Sequence, residues 1–198
     1  MTTLLLGSSV RKSDTKVEKL FLDRWSPRSM SSEKITKAEL MTLFEAARWA
    51  PSCYNEQPWR FIYALRETPQ WKPLFDLMVE FNQNWVKNAA ALVLVLSRNT
   101  STHNGAPFAT HSFDTGAAWG SFALQGTASG LVVHGMAGFD YDKARTALKI
   151  PDHYTVECMV AVGKPDDKSK LPGGLAEKEV PSQRKPLSEI AFEGTLTE

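Results

Sequence analysis

Arg24, Ser26 and Arg28 occupy alternate positions in "RWSPRS" (24–29), and Pro27 turns the residue before it away from helix. In an extended segment alternate side chains point the same way. Two guanidinium forks with a hydroxyl between them form a cradle for an anion, since the fork matches the oxygens of a phosphate. A second stretch, "APSCYNEQPW" (50–59), sets Ser52, Asn55 and Gln57 between Pro51 and Pro58. Short hydroxyl and amide groups on a stiffened loop suit the edge of a flat heterocycle that alternates donors and acceptors. Each stretch also has an ordinary reading, as a solvated arginine pair and as a polar turn. Cys53 with His111 or His134 would give a cysteine hydrolase, a weaker reading because no histidine lies near Cys53 in the sequence. The four histidines are scattered and read as surface or packing residues.

The elements that must position these groups follow from periodicity. Val17, Leu20 and Phe21 have helical spacing, which predicts a first helix ending near Arg24. Thr36 and Glu39 stand at capping-box spacing ahead of Leu40, Leu43, Phe44 and Ala47, a second helix. "WRFIYALR" reads as a strand, "PQWKPLFDLMVEFNQNW" (69–85) as one helix with Pro69 in its first turn, and "AALVLVLS" as a strand buried on both faces. A long helix rich in Ala, Gly and Ser follows over 111–130, with Gly130 as its C′ residue. Its small residues fit either close packing in a core or the centre of a subunit interface. A short strand (131–139), a short helix (141–150) and a last alternating strand (154–165) complete the pattern. The class is therefore α/β or α+β, helices around a central sheet, in a single domain over 1–198 whose residues 166–198 form a C-terminal extension.

Composition excludes several functions. The chain has 198 residues, 42% of them hydrophobic, and a formal net charge of +1 without charge blocks. Nothing suggests nucleic acid or a membrane surface as partner. The longest apolar run, 89–96, is far short of the roughly 20 residues that span a bilayer. The N-terminal "MTTLLLGSSVRKSD" is a poor signal peptide, and Cys53 and Cys158 match no metal or disulfide spacing. The expectation is a cytoplasmic protein, and "NTS" at Asn99 is then a chance match to a glycosylation acceptor. There is no G-x-G-x-x-G after a strand and no P-loop, which argues against a dinucleotide-binding fold of that kind.

Taken together, "RWSPRS" and "ARWAPSCYNEQPWRFI" resemble the signature of the nitroreductase family of FMN enzymes: Arg-x-Ser-x-Arg, a helix, then Pro-Ser-x-x-Asn-x-Gln-Pro-Trp. "FNQNWVKNAAALVLV", "GMAGFD" and "RKPLSE" extend the resemblance over 17–189. It implies a nitroreductase-like α+β fold, with a mixed, mainly antiparallel sheet flanked by helices, and a homodimer with FMN at the interface. It implies an FMN-dependent oxidoreductase in which NAD(P)H reduces the flavin and a small-molecule acceptor, a nitroaromatic or quinone, reoxidises it in ping-pong order. A specialised flavin-dependent dehydrogenase or a flavin-binding protein on the same fold is the alternative. Carried over residue by residue, Arg24, Trp25, Ser26, Arg184 and Lys185 would hold the phosphate and ribityl end, and Arg28 the pyrimidine edge. Pro51, Ser52, Cys53, Asn55 and Gln57 would approach from the neighbouring subunit. Asn82, with Asn84 second to it, would bond the ring edge, and the backbone of Met136, Ala137 and Gly138 would lie near the reactive nitrogen. Some members carry an acid where this chain has Ala137 and a lysine where it has Trp85, a tryptophan that could narrow the substrate pocket.

Overall fold

The computed structural model describes residues 2–196; Met1 and the last two residues of the 166–198 extension lie outside the described residues. Among the described residues six α-helices and four strands follow one another as α1 (Lys19–Asp23), α2 (Lys37–Arg48), β1 (Trp59–Leu65), α3 (Trp71–Phe75), α4 (Glu80–Val86), β2 (Ala91–Arg98), α5 (His111–Ala128), β3 (Val132–Met136), α6 (Tyr141–Ala147) and β4 (Tyr154–Gly163). The sheet has the order β1-β2-β4-β3. All three pairings are antiparallel, so the antiparallel part of the expected mixed sheet is what the described residues form.

β2 shows why the fold is layered. Seven of its eight residues are buried, and the six apolar ones alternate between two apolar clusters. Leu92, Leu94 and Leu96 pack with Leu74, Leu77, Trp85 and Met159 on one face. Ala91, Val93 and Val95 pack with Leu40, Leu43 and Phe122 on the other, under α2 and α5. A strand covered on both sides has no polar face to show, hence the uninterrupted apolar run.

Helix ends follow local chemistry. Thr36 Oγ1 accepts the Glu39 amide at 3.1 Å and Glu39 Oε2 accepts the Thr36 amide at 2.6 Å, completing the capping box. Beyond α5, Gly130 takes φ 70°, its amide bonds Thr127 O at 3.0 Å and the Leu131 amide bonds Gly126 O at 2.8 Å. Those two bonds satisfy the last carbonyls of the helix.

Two expectations need correction. The helix expected over 69–85 is broken into α3 and α4, because the residues between them are claimed by a distant loop. The Val79 amide bonds Gly138 O at 3.1 Å, the Asp140 amide bonds Leu77 O at 2.8 Å, and Met78 bridges Phe139. The first helix is shorter than expected, and Val17 and Phe21 are 41% and 57% exposed, so their spacing does not mark a core face.

The C-terminal segment folds back over 24–31. The Ser31 amide bonds Lys164 O at 2.8 Å and the Asp166 amide bonds Ser29 O at 3.2 Å, after which Leu175 and Glu179 bury themselves at 6% and 3% exposure. α5 meets β3 closely at Gly126, where an added Cβ would stand 2.2 Å from Val133 Cγ2. A β-branched neighbour cannot swing clear. Gly126→Ala should therefore lower stability by about 1–3 kcal/mol despite the better helix propensity of alanine, read as a lower urea midpoint.

Candidate functional site

A cleft of about 450 Å³ lies beside the edge strand β3. Arg24, Trp25, Ser26 and Arg28 line it from one segment, His134 and Gly135 from β3, and Lys178, Val180, Ser182 and Arg184 from the C-terminal segment, with Arg11 from the N-terminal one. The chain at Arg24 is extended (φ −67°, ψ 120°), which turns Arg24 and Ser26 the same way, and Arg24 Nη1 donates to Ser26 Oγ at 3.2 Å. Trp25 points away from this pair; its indole nitrogen donates to Leu5 O at 2.6 Å and the ring is buried, anchoring the segment.

The electrostatics of the cleft are one-sided. Among the described residues its lining includes four arginines and a lysine and no acid. Arg11 is buried and donates to Ser182 O at 2.8 Å, Arg24 O at 2.6 Å and Leu22 O at 3.1 Å, tying both termini to the arginine segment. Burial, and then the charges of Arg184 and Arg24, hold the Arg11 guanidinium below its usual pKa; burial and then Arg184 do the same to Arg24. Like charges drawn together in a partly dehydrated cleft cost energy unless an anion neutralises them, and a phosphate offers the matching oxygens. The donor set therefore fits the phosphate of a bound FMN.

His134 Nδ1 donates to Pro27 O at 2.9 Å, and its ring lies 4.8 Å from that of Trp85. Burial first, then Arg28 and Arg24, pull its pKa down to about 4. At neutral pH it is an uncharged wall of the cleft.

Beyond β3 the chain enters a latch. Asn82 Nδ2 donates to Gly138 O at 3.0 Å, and Asn82 Oδ1 accepts the Trp85 indole proton at 3.3 Å. A Cβ at 138 would meet Asn82 Nδ2 at 2.6 Å and so displace the amide that makes the latch. Asn82 is thus fixed from both ends of its amide and retains one Nδ2 proton. Trp85, 2% exposed, supports Asn82 and also lines a small cavity with Arg28 and Asn84. Ala137 is exposed at the turn, whereas Met136 is buried and offers the site only its backbone.

The loop 51–58 lies elsewhere. It leads into β1, and β1 and β3 are opposite edges of the sheet, about 14 Å apart by strand spacing. Its side chains and amides hold the loop together and to its neighbours: Ser52 Oγ accepts the Gln57 amide at 3.0 Å, Gln57 Nε2 donates to Asn55 O at 3.0 Å, and the Cys53 amide donates to Asp114 Oδ2 of α5 at 3.0 Å. Tyr54, Asn55 and Gln57 all have positive φ, 51°, 57° and 48°. Such conformations cost of order 1–3 kcal/mol each outside glycine and persist where the surroundings over-determine them. Glu56 holds the loop to 101–102: it accepts from Ser101 Oγ at 2.6 Å and from the Thr102 amide and hydroxyl, which lowers its pKa to about 2.

The structure thus gathers Arg24, Trp25, Ser26, Arg28 and Arg184 in one cleft, and Asn82, Met136, Ala137 and Gly138 in the latch beside it. It does not bring Pro51, Ser52, Cys53, Asn55 or Gln57 to them within one chain. Lys185 also stands apart, exposed and paired with Glu189 at 3.5 Å. Sequence reasoning did not assign Arg11, His134, Lys178 or Ser182 to the cleft, although His134 and Ser182 stand within four residues of positions it did assign, Met136–Gly138 and Arg184–Lys185. His111 and His134 engage Ser97 Oγ (2.7 Å) and Pro27 O (2.9 Å), and neither bonds Cys53 among the described residues.

Residues 22–164 match the Nitroreductase family, and the chain belongs to that family. It is 48% identical to a solved structure described as an oxidoreductase containing FMN, with a TM-score of 0.90 over 94% of this chain and 96% of the other. It is 28% identical to an NADH dehydrogenase of Thermus thermophilus, over 86% of this chain and 92% of that protein. A nitroreductase family protein of Clostridium difficile is 25% identical, with a TM-score of 0.66 over 87% of this chain and 95% of that one. No helix among the described residues is long and apolar enough to cross a membrane.

The unfolded chain protonates His134 near 6.5, whereas the folded one resists until about 4. Stability present above pH 6.5 is therefore lost as pH falls from 6.5 toward 4, by up to about 3 kcal/mol. Urea midpoints of wild type and His134→Asn at about pH 7 and about pH 4 check this, and the variant should show the smaller drop.

Proposed function

We propose that this protein is an FMN-dependent oxidoreductase that takes electrons from NAD(P)H and passes them to small acceptors such as quinones and nitroaromatics. The observation that supports it most directly is the arginine cleft, whose lining includes no acid among the described residues; the strand β3 that walls it leads directly into the Asn82–Gly138 latch. Relatives described as an FMN-containing oxidoreductase and an NADH dehydrogenase point the same way.

On this reading Arg24, Ser26, Lys178 and Arg184 hold the phosphate, and Arg11 holds Arg24 in place through its carbonyl. Arg28 faces the pyrimidine portion, where a fixed guanidinium stabilises added negative charge. Asn82 keeps the Ala137–Gly138 backbone in place with its amide latch and has one proton left to donate. Bound FMN supplies the hydride and electron chemistry, so the chain needs no nucleophile. Reductant and acceptor use one site in turn, which gives ping-pong order.

The chain works as one domain in a homodimer, with Ser52, Asn55 and Gln57 of a second copy completing the site. Three features support this. The loop is strained and lies at the sheet edge opposite the cleft; Trp49, Tyr54 and Phe113 are 74%, 87% and 81% exposed; and Gly116 and Gly120 of α5 face open space.

Purified protein should show flavin absorbance that bleaches on anaerobic NADH or NADPH and returns with a quinone or nitroaromatic. Flavin that stays oxidised would leave a binding protein instead. Arg24→Gln and Arg184→Gln should each weaken FMN binding about 10- to 100-fold, the worth of a charge-assisted hydrogen bond, measured by quenching of flavin fluorescence.

A further inference from the structure

Behind the arginine segment, where Asp166 and Asp167 also line a cavity against Trp25, Pro27 and Ser29, Glu179 is the acid whose carboxylate bonds the segment's backbone amides. It lies in the C-terminal segment at 3% exposure. Its Oε1 accepts the backbone amides of both Arg28 and Ser29, at 2.5 and 2.7 Å. Among the described residues its Oε2 has no hydrogen-bond partner, and it lies 3.9 Å from Arg28 Nη1. One carboxylate thus grips the backbone of Arg28 and sits beside its guanidinium, outside the cleft that Arg28 lines.

A buried carboxylate without a full set of partners is expensive to keep, and a neutral side chain would satisfy the same two amides. Glutamine can accept the same two amides through its carbonyl oxygen, if less strongly than a carboxylate. What glutamate adds over glutamine is charge, placed where it opposes the field of Arg28 and its neighbours. Resting on the FMN reading above, we propose that Glu179 is a positioning residue for the flavin. It fixes Arg28 through the two backbone amides, and its negative charge keeps the flavin harder to reduce than the arginines alone would make it.

The two roles separate in two variants. Glu179→Gln keeps the clamp and removes the charge; Glu179→Ala removes both. In Glu179→Gln the midpoint potential of bound FMN should move to more positive values, while the Arg28 and Ser29 amides stay protected from hydrogen exchange and FMN binds at least as tightly. In Glu179→Ala those amides should lose protection and FMN affinity should fall about tenfold. An unchanged potential in Glu179→Gln would overturn the electrostatic role, whatever becomes of the alanine variant. Retained amide protection and wild-type FMN affinity in Glu179→Ala would overturn the positioning role. Wild-type protein that takes up no FMN would overturn the proposed function itself, a result separable from both because amide exchange is read without flavin.

Discussion

Mutual repulsion among guanidiniums is the constraint around which the molecule is organised. Arg11, Arg24, Arg28 and Arg184 come from the N-terminal segment, the 24–28 segment and the C-terminal segment, yet they line one cleft. Arg11 is buried, Arg24 and Arg28 are half-buried and Arg184 is exposed at the rim. The backbone holds the segments together: carbonyls of Leu22, Arg24 and Ser182 receive Arg11, Pro27 O receives His134, and Glu179 takes the amides of Arg28 and Ser29. These contacts confine like charges in one cleft, an arrangement that a bound anion would relieve.

The apolar core serves the same end. β2, sealed on both faces, fixes β4, and β4 carries β3 at the sheet edge against which the arginine segment lies. The break between α3 and α4 has a matching purpose. By yielding Leu77 and Val79 to the loop at 138–140, the chain brings Asn82 onto Gly138, next to the end of the strand that walls the cleft. A continuous helix would satisfy its own backbone groups and leave that loop without partners.

What could be read from the sequence was what local chemistry decides. The capping box at Thr36 and Glu39, the C′ glycine at 130 and the buried strand at 91–98 each depend on residues within a few positions. Arg24, Ser26 and Arg28 were legible because alternation and Pro27 suffice to turn two arginines to one side. Arg11 was not, since its partner carbonyl at Ser182 lies 171 residues away. The same holds for His134 and Glu179, whose meaning comes from Pro27 O and the Arg28 amide across 107 and 151 positions. The split of the helix expected over 69–85 was equally hidden, because its apolar spacing continues through the break while its hydrogen bonds go to Gly138 and Asp140.

The central claim is that this cleft recognises a phosphate, and comparing FMN with riboflavin tests it most directly, since the two differ by that group alone. Equilibrium titration at fixed ionic strength should show FMN binding at least about 100-fold more tightly than riboflavin, a gap that narrows as salt rises or when Arg24 is replaced by Gln. Equal affinity for the two, or a gap indifferent to salt and to Arg24, would contradict the account.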